Sequence, residues 1–192
     1  LAQGGMTPVF VVYSSFLQRA YDQILHDVCL QKLHVIFAID RAGIVGSDGE
    51  THQGIFDISY LMTIPNLVLM APKNKWELAD MLTFAFDFDG PIAIRYPRGM
   101  AYDGLKEFRA PVVLGRSEIL YDETDIALLA YGSMVETALA VREQLKELHY
   151  QCTLINARFA KPLDEELLLS LSADHKLLVT LEENAITGGF GQ

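Results

Sequence analysis

Apolar positions along this chain alternate between short unbroken runs and helical stripes. Residues 9–13, Val-Phe-Val-Val-Tyr, form a run after Thr7-Pro8, the pattern of a strand buried on both faces. Phe16, Leu17, Ala20, Tyr21, Ile24, Leu25 and Val28 then recur at three- and four-residue steps, which predicts a helix with one apolar stripe. A second strand at residues 35–39 leads into a polar, glycine-rich stretch, residues 40–54. Beyond it the pattern predicts a short helix at 56–62, a strand at 67–70, a helix at 76–86 and a strand at 92–96. Strands alternating with helices predict a mostly parallel sheet covered on both faces, with ligands outside the carboxyl ends of its strands.

Between residues 97 and 111 the periodicity lapses into glycines, prolines and scattered charges, which marks a domain boundary. A second alternation follows: strands at 112–120 and 126–131, a helix at 135–148, a strand at 153–155, a helix at 165–171 and a strand at 177–181. The expectation is two mostly parallel-sheet α/β domains, residues 1–100 and 111–192, both truncated. Leu1 as first residue and Gly188-Gly189-Phe190-Gly191-Gln192 as last segment look like cut ends.

Composition narrows the function. Hydrophobic residues make up 51% of the 192 and charged residues 21%, which describes a folded chain rather than a disordered one. With 15 Lys and Arg against 25 Asp and Glu, the net charge of -10 repels a phosphate backbone and excludes nucleic acid as a general partner. No run is apolar and long enough to cross a membrane. Cys29 and Cys152 stand far apart and outside any CxxC context, which fits a reducing cytoplasm and argues against a disulfide framework or a zinc site. His26, His34, His149 and His175 show no metal-ligand spacing, so no metal ligand is expected in this chain.

The densest polar cluster is Asp40-Arg-Ala-Gly-Ile-Val-Gly-Ser-Asp-Gly-Glu-Thr-His-Gln-Gly54, and long ordered loops in compact domains are commonly functional. His52 is its one imidazole, a side-chain type able to move a proton or hydrogen-bond a developing alkoxide. A solvated loop leading into the next helix is the alternative reading. Arg19 follows the strand-to-helix turn that begins at Tyr13, and Phe16 on that turn is either core or a stacking platform. Arg95-Tyr-Pro-Arg98-Gly99 places two more arginines near the same sheet edge. With Arg41 they make a local positive pocket suited to phosphate oxygens. Asp48-Gly49 with Asn74 only faintly matches a magnesium diphosphate motif, since Ser47 replaces its first glycine, and that reading is rejected.

Taken together, Tyr13-Ser-Ser-Phe-Leu-Gln-Arg-Ala-Tyr-Asp-Gln23, Asp40-Arg-Ala-Gly43, Asp48-Gly-Glu-Thr-His-Gln-Gly54, Ile64-Pro-Asn66 and Arg95-Tyr-Pro-Arg-Gly99 closely resemble the 1-deoxy-D-xylulose-5-phosphate synthase family of transketolase-like enzymes. The resemblance spans nearly the whole chain. It implies a transketolase pyrimidine-binding domain followed by a transketolase C-terminal domain, acting as part of a cytoplasmic homodimer. It also implies thiamine diphosphate and Mg2+ as cofactors, and pyruvate and glyceraldehyde 3-phosphate as substrates condensed with loss of carbon dioxide in isoprenoid precursor synthesis. By this resemblance Phe16 packs on the cofactor's aminopyrimidine ring, and Tyr13 and Arg19 shape that pocket. Asp48 and His52 face the substrate as catalytic residues, while Arg41 and Arg98, with Arg95, surround the acceptor's phosphate.

The family's cofactor-activating glutamate lies just upstream of the Tyr13 strand, and its diphosphate-binding domain lies further upstream still. The chain is therefore expected to be a fragment that binds no cofactor by itself, is catalytically silent, and self-associates through uncovered apolar faces. Two other readings stay open: a β-type subunit of another thiamine diphosphate enzyme, and a non-catalytic assembly module.

Overall fold

The computed structural model describes residues 1–192. Strands β1 (Val9–Tyr13), β2 (Ile36–Asp40), β3 (Val68–Met70) and β4 (Ile92–Arg95) pair in parallel in the order β1-β2-β4-β3. Between them lie helices α1 (Ser14–Leu17), α2 (Asp57–Leu61) and α3 (Lys75–Asp87). Ile36, Ile39, Leu69, Met70, Ile92 and Ile94 are fully buried, as expected for strands covered on both faces. β1 differs from its expectation. It pairs only with β2 and forms the sheet's edge, and Val11 is 65% exposed with Val9 and Phe10 also open. An apolar run reads the same in an edge strand with an uncovered face as in a central one.

The expected helix at 16–28 also departs from a single stripe. It divides into α1, a 3-10 turn at Gln18–Ala20 and a π-helical stretch at Gln23–Cys29. Leu30 N–H donates to Leu25 O and Leu33 N–H to Val28 O, both five-residue steps. Ile24 and Cys29 are five positions apart and both buried, a spacing that the wider π turn puts on one face and an α-helix would not.

In the second half, β5 (Glu118–Tyr121), β6 (Ile126–Ala130), β7 (Cys152–Asn156) and β9 (Leu177–Leu181) form a sheet in the order β5-β7-β6-β9, with α4 (Met134–Glu147) and α5 (Glu165–Asp174) between its strands. The strand expected at 112–120 begins only at Glu118, because the chain turns first, with Arg116 N–H donating to Val113 O. β8 (Phe159–Lys161) was not expected. It leaves the second half to pair antiparallel with β3, completing the first sheet as β1-β2-β4-β3-β8.

Where the halves meet, a buried ionic network closes on itself. Lys73 Nζ reaches Glu77 at 3.0 Å and Glu118 at 2.6 Å. Arg158 reaches the same two carboxylates at 2.8 Å and 3.1 Å, and donates to the carbonyls of Pro111 and Ala110. Asn156 Nδ2 donates to Glu77 at 2.9 Å. Two cations offset two anions, so no net charge is left out of water. Burial opposes the charge on Glu118, but the Lys73 hydrogen bond and the Arg158 charge outweigh it and hold this carboxyl below its ordinary range. Asn74 serves this junction as the N-cap of α3: its side chain accepts Glu77 N–H at 2.9 Å and donates to Gly104 O at 3.0 Å.

Candidate active site

The polar loop after β2 is pinched shut at its base. Gly43 and Gly54 exchange backbone bonds of 2.7 Å and 2.8 Å, so residues 44–53 form a closed excursion at the carboxyl edge of the sheet. Gly54 is required by packing, since a Cβ there would lie 2.2 Å from Arg41 O and 2.8 Å from the Ser14 side chain. The pinch thereby rests on the first turn of α1. Inside the loop, Gln53 accepts Val45 N–H at 2.8 Å and donates to Gly49 O at 2.8 Å. Arg41 takes a left-handed φ of 57°, and Asp40 supports it by accepting both its backbone N–H and its Nη1, each at 2.7 Å.

This bracing gathers five of the sequence-predicted residues. Tyr13 and Phe16 stack with ring centroids 5.4 Å apart, and His52 meets Phe16 edge-on at 5.1 Å. The Arg41 guanidinium lies 3.8 Å above the Tyr13 ring, and that of Arg19 lies 5.9 Å from Phe16. Phe16 remains 40% exposed, leaving an aromatic face for a planar heterocycle. Thr51 Oγ1 sits 3.0 Å from His52 Nδ1, a contact that orients the ring and leaves Nε2 free to meet a ligand.

Beside the aromatic group, Asp48 is held between two arginines, with Arg41 Nε at 2.7 Å and Arg98 Nε at 3.2 Å. Arg98 is the more open, and its Nη1 donates to Ser47 Oγ at 3.1 Å. Arg41 and Arg98 also line a cavity of about 500 Å³ with Asp40, Tyr96, Tyr102 and Glu136. Each guanidinium therefore keeps donors available to an anion in the cleft.

Arg95 lies elsewhere. It is 3% exposed, grips Asp57 through bonds of 2.9 Å and 3.1 Å, and donates to Glu183 O at 3.2 Å. Burial opposes its charge, but Asp57 outweighs that and holds the guanidinium above its ordinary value. Its burial and its two bonds to Asp57 separate it from the more open pair Arg41 and Arg98. Sequence reasoning did not reach Asp57 or Glu183. Asn74 with Glu77 at the third helical position was a legible capping signal, whereas Asp57 and Glu183 show their roles only through partners distant in sequence.

A thiamine-type cofactor implied by the resemblance is met here at one end. The exposed part of Phe16 suits its aminopyrimidine ring, whereas no group of three or more His, Cys, Asp or Glu side chains is placed to hold a metal ion.

A parallel α/β sheet whose carboxyl edge carries an aromatic platform, a loop histidine and paired arginines, joined to a second α/β unit, defines the transketolase class. The pyrimidine binding domain of transketolase matches residues 1–102 and the transketolase C-terminal domain matches residues 115–192, and the chain belongs to this family. Among curated relatives it is 59% identical to the 1-deoxy-D-xylulose-5-phosphate synthase of Lachnoclostridium phytofermentans, over all of this chain and 31% of that protein. It is 55% identical to the enzyme of the same name from Thermosynechococcus vestitus, over all of this chain and 30% of that one. The chain thus spans less than a third of the length of the curated relatives it matches. A split-gene transketolase solved as an inactive β4 tetramer superposes with a TM-score of 0.86 at 26% identity, covering 99% of this chain and 62% of that one. A transketolase from Campylobacter jejuni superposes at 0.76 over 95% of this chain and 32% of that one, with 20% identity, and shares the fold. No helix of the chain is long and apolar enough to cross a membrane.

Proposed function

We propose that this chain supplies the pyrimidine-facing and acceptor-binding part of a 1-deoxy-D-xylulose-5-phosphate synthase, which joins pyruvate to glyceraldehyde 3-phosphate with loss of carbon dioxide. The observation that carries the reading is the convergence of Phe16, His52, Arg41 and Arg98 on one sheet edge in a chain 59% identical to such an enzyme. Thiamine diphosphate, when bound, supplies an electron sink for the decarboxylation of a 2-oxoacid. Phe16 would stack on its aminopyrimidine, with Tyr13 and Arg19 backing the Phe16 ring. His52 Nε2 would hydrogen-bond the oxygens of the 2-oxoacid substrate and move a proton there as charge develops. Arg41 and Arg98 take the acceptor's phosphate through the donors that Asp48 leaves open, and Asp48 fixes the angle between them and faces the substrate.

Residues 1–100 form the pyrimidine-binding unit and residues 111–192 the C-terminal unit of this reading. Diphosphate and Mg2+ are held by parts of the enzyme beyond this chain, which is inactive alone, and the enzyme works as a cytoplasmic homodimer. The β4 tetramer of the split-gene relative supports self-association of such a chain. Expression of the complete reading frame around residues 1–192, assayed for carbon dioxide release from pyruvate with glyceraldehyde 3-phosphate, thiamine diphosphate and Mg2+, tests the activity. Release that does not depend on the phosphorylated acceptor's presence would redirect the proposal to another thiamine enzyme.

A further inference from the structure

The closed excursion at residues 44–53 is gripped at both ends by the segment leaving β9. At the first end, Glu183 Oε1 accepts Ile44 N–H at 3.2 Å. At the other end, Ala185 N–H donates to Ile55 O at 2.7 Å. The second oxygen of Glu183 accepts Ser133 Oγ at 2.5 Å, at the start of α4. The Glu183 backbone carbonyl accepts from Arg95, which is itself fixed by Asp57 on α2. Gly43 lies directly against this carboxylate: a Cβ at Gly43 would come 2.7 Å from the Glu183 carboxyl carbon. One side chain of the second half therefore occupies the notch that sets the height of the Gly43–Gly54 pinch. From that pinch the contacts run to Arg41 O and Ser14, which flank Arg41 and Phe16.

We propose that Glu183 is a positioning residue for the loop that carries Arg41, Asp48 and His52, and that it couples the second α/β unit to capture of the phosphorylated acceptor. The part concerning the acceptor rests on the function proposed above. A carboxylate suits the position because it accepts from a backbone N–H and a hydroxyl with separate oxygens, and neither donor has another acceptor within the chain. Its loss leaves Ile44 N–H and Ser133 Oγ without a protein partner and the notch empty, so the loop loosens while both sheets stay paired.

The test has two arms. Amide hydrogen exchange on the complete protein compares wild type with Glu183→Ala, Glu183→Gln and Ser133→Ala. Glu183→Ala is expected to speed exchange at Gly43, Ile44 and Gly54 by about tenfold or more, with Ile94 and Leu128 in the two sheets unchanged. Glu183→Gln, whose amide oxygen still accepts from Ile44 and whose NH2 can donate to Ser133 Oγ, stays near wild type, and Ser133→Ala gives a smaller change confined to the same loop. Unchanged exchange in Glu183→Ala overturns the proposal, as does an acceleration spread over both sheets, which would make Glu183 a general support of the fold.

Steady-state kinetics on the complete protein form the second arm. KM for glyceraldehyde 3-phosphate is expected to rise about tenfold in Glu183→Ala, with KM for pyruvate within about twofold and recovery in Glu183→Gln. An equal rise for both substrates overturns the coupling. Loop-confined exchange in a complete protein that makes no product from these substrates leaves the positioning role standing and removes the proposed function instead.

Discussion

Two charged clusters of this molecule both set cations against carboxylates and differ in how far each is buried and closed on itself. At the junction of the halves, Lys73, Glu77, Glu118, Asn156 and Arg158 are all buried and each is bonded to others in the set. On the sheet edge, Arg41, Asp48 and Arg98 form a chain rather than a closed ring, and both arginines keep donors turned to a cleft. The first arrangement fixes structure, and the second is the one proposed above to meet a ligand. Arg95 shows that position in sequence does not separate the two: three residues from Arg98, it belongs with the closed kind.

The largest effect is expected from opening the closed network. Glu77→Ala leaves Lys73 and Arg158 buried with one carboxylate between them, and is expected to lower stability by about 3–5 kcal/mol in urea unfolding. A loss under about 1 kcal/mol would mean that water enters and the junction is not sealed. Next in size, His52→Ala on the open edge should reduce turnover of the complete protein about a hundredfold while leaving its unfolding midpoint nearly unchanged. Normal turnover in that variant would remove His52 from the chemistry.

Arg98→Ala is expected to weaken capture of the phosphorylated acceptor about tenfold, with a stability change below about 1 kcal/mol because Arg98 is exposed and Asp48 keeps Arg41. If stability falls as far as in Glu77→Ala, the distinction between open and closed clusters fails. The smallest effect comes from acid. Glu118 has a folded pKa below its ordinary value of 4.5, so its contribution is fully present above about that pH and is lost as pH falls through the lower folded value. Glu118→Gln should flatten that acid limb of the stability curve; an unchanged limb would assign it to other carboxylates.

Much of the first sheet was legible because its strands are apolar runs bounded by turn residues, and β2, β3 and β4 fall where the pattern put them. The loop at 40–54 was legible as a functional candidate from its length and polarity, and the roles within it came from resemblance to a family. What escaped depends on partners distant in sequence. β8 is three residues whose reason to be extended is β3, and the apolar run of β1 carries no mark of lying at an edge. The π-helical stretch follows from a five-residue burial step hidden among three- and four-residue ones. Arg158 and Glu118 sit in unremarkable sequence and meet only after both sheets are built.

The pairing of β8 with β3 also sets an order of events as the chain is made. β1 to β4 leave the ribosome before β8, and the strand that closes their sheet also follows β5, β6, α4 and β7. Until then the β3 edge has no antiparallel partner, and Lys73 and Glu77 wait for Glu118 and Arg158. The earlier half is thus committed to a long-range closure that the later half must deliver, a slow step during which an unpaired edge is open to wrong partners. Slower synthesis between β4 and β8 would prolong that exposure, and is expected to lower the yield of folded protein without changing the stability of the finished fold.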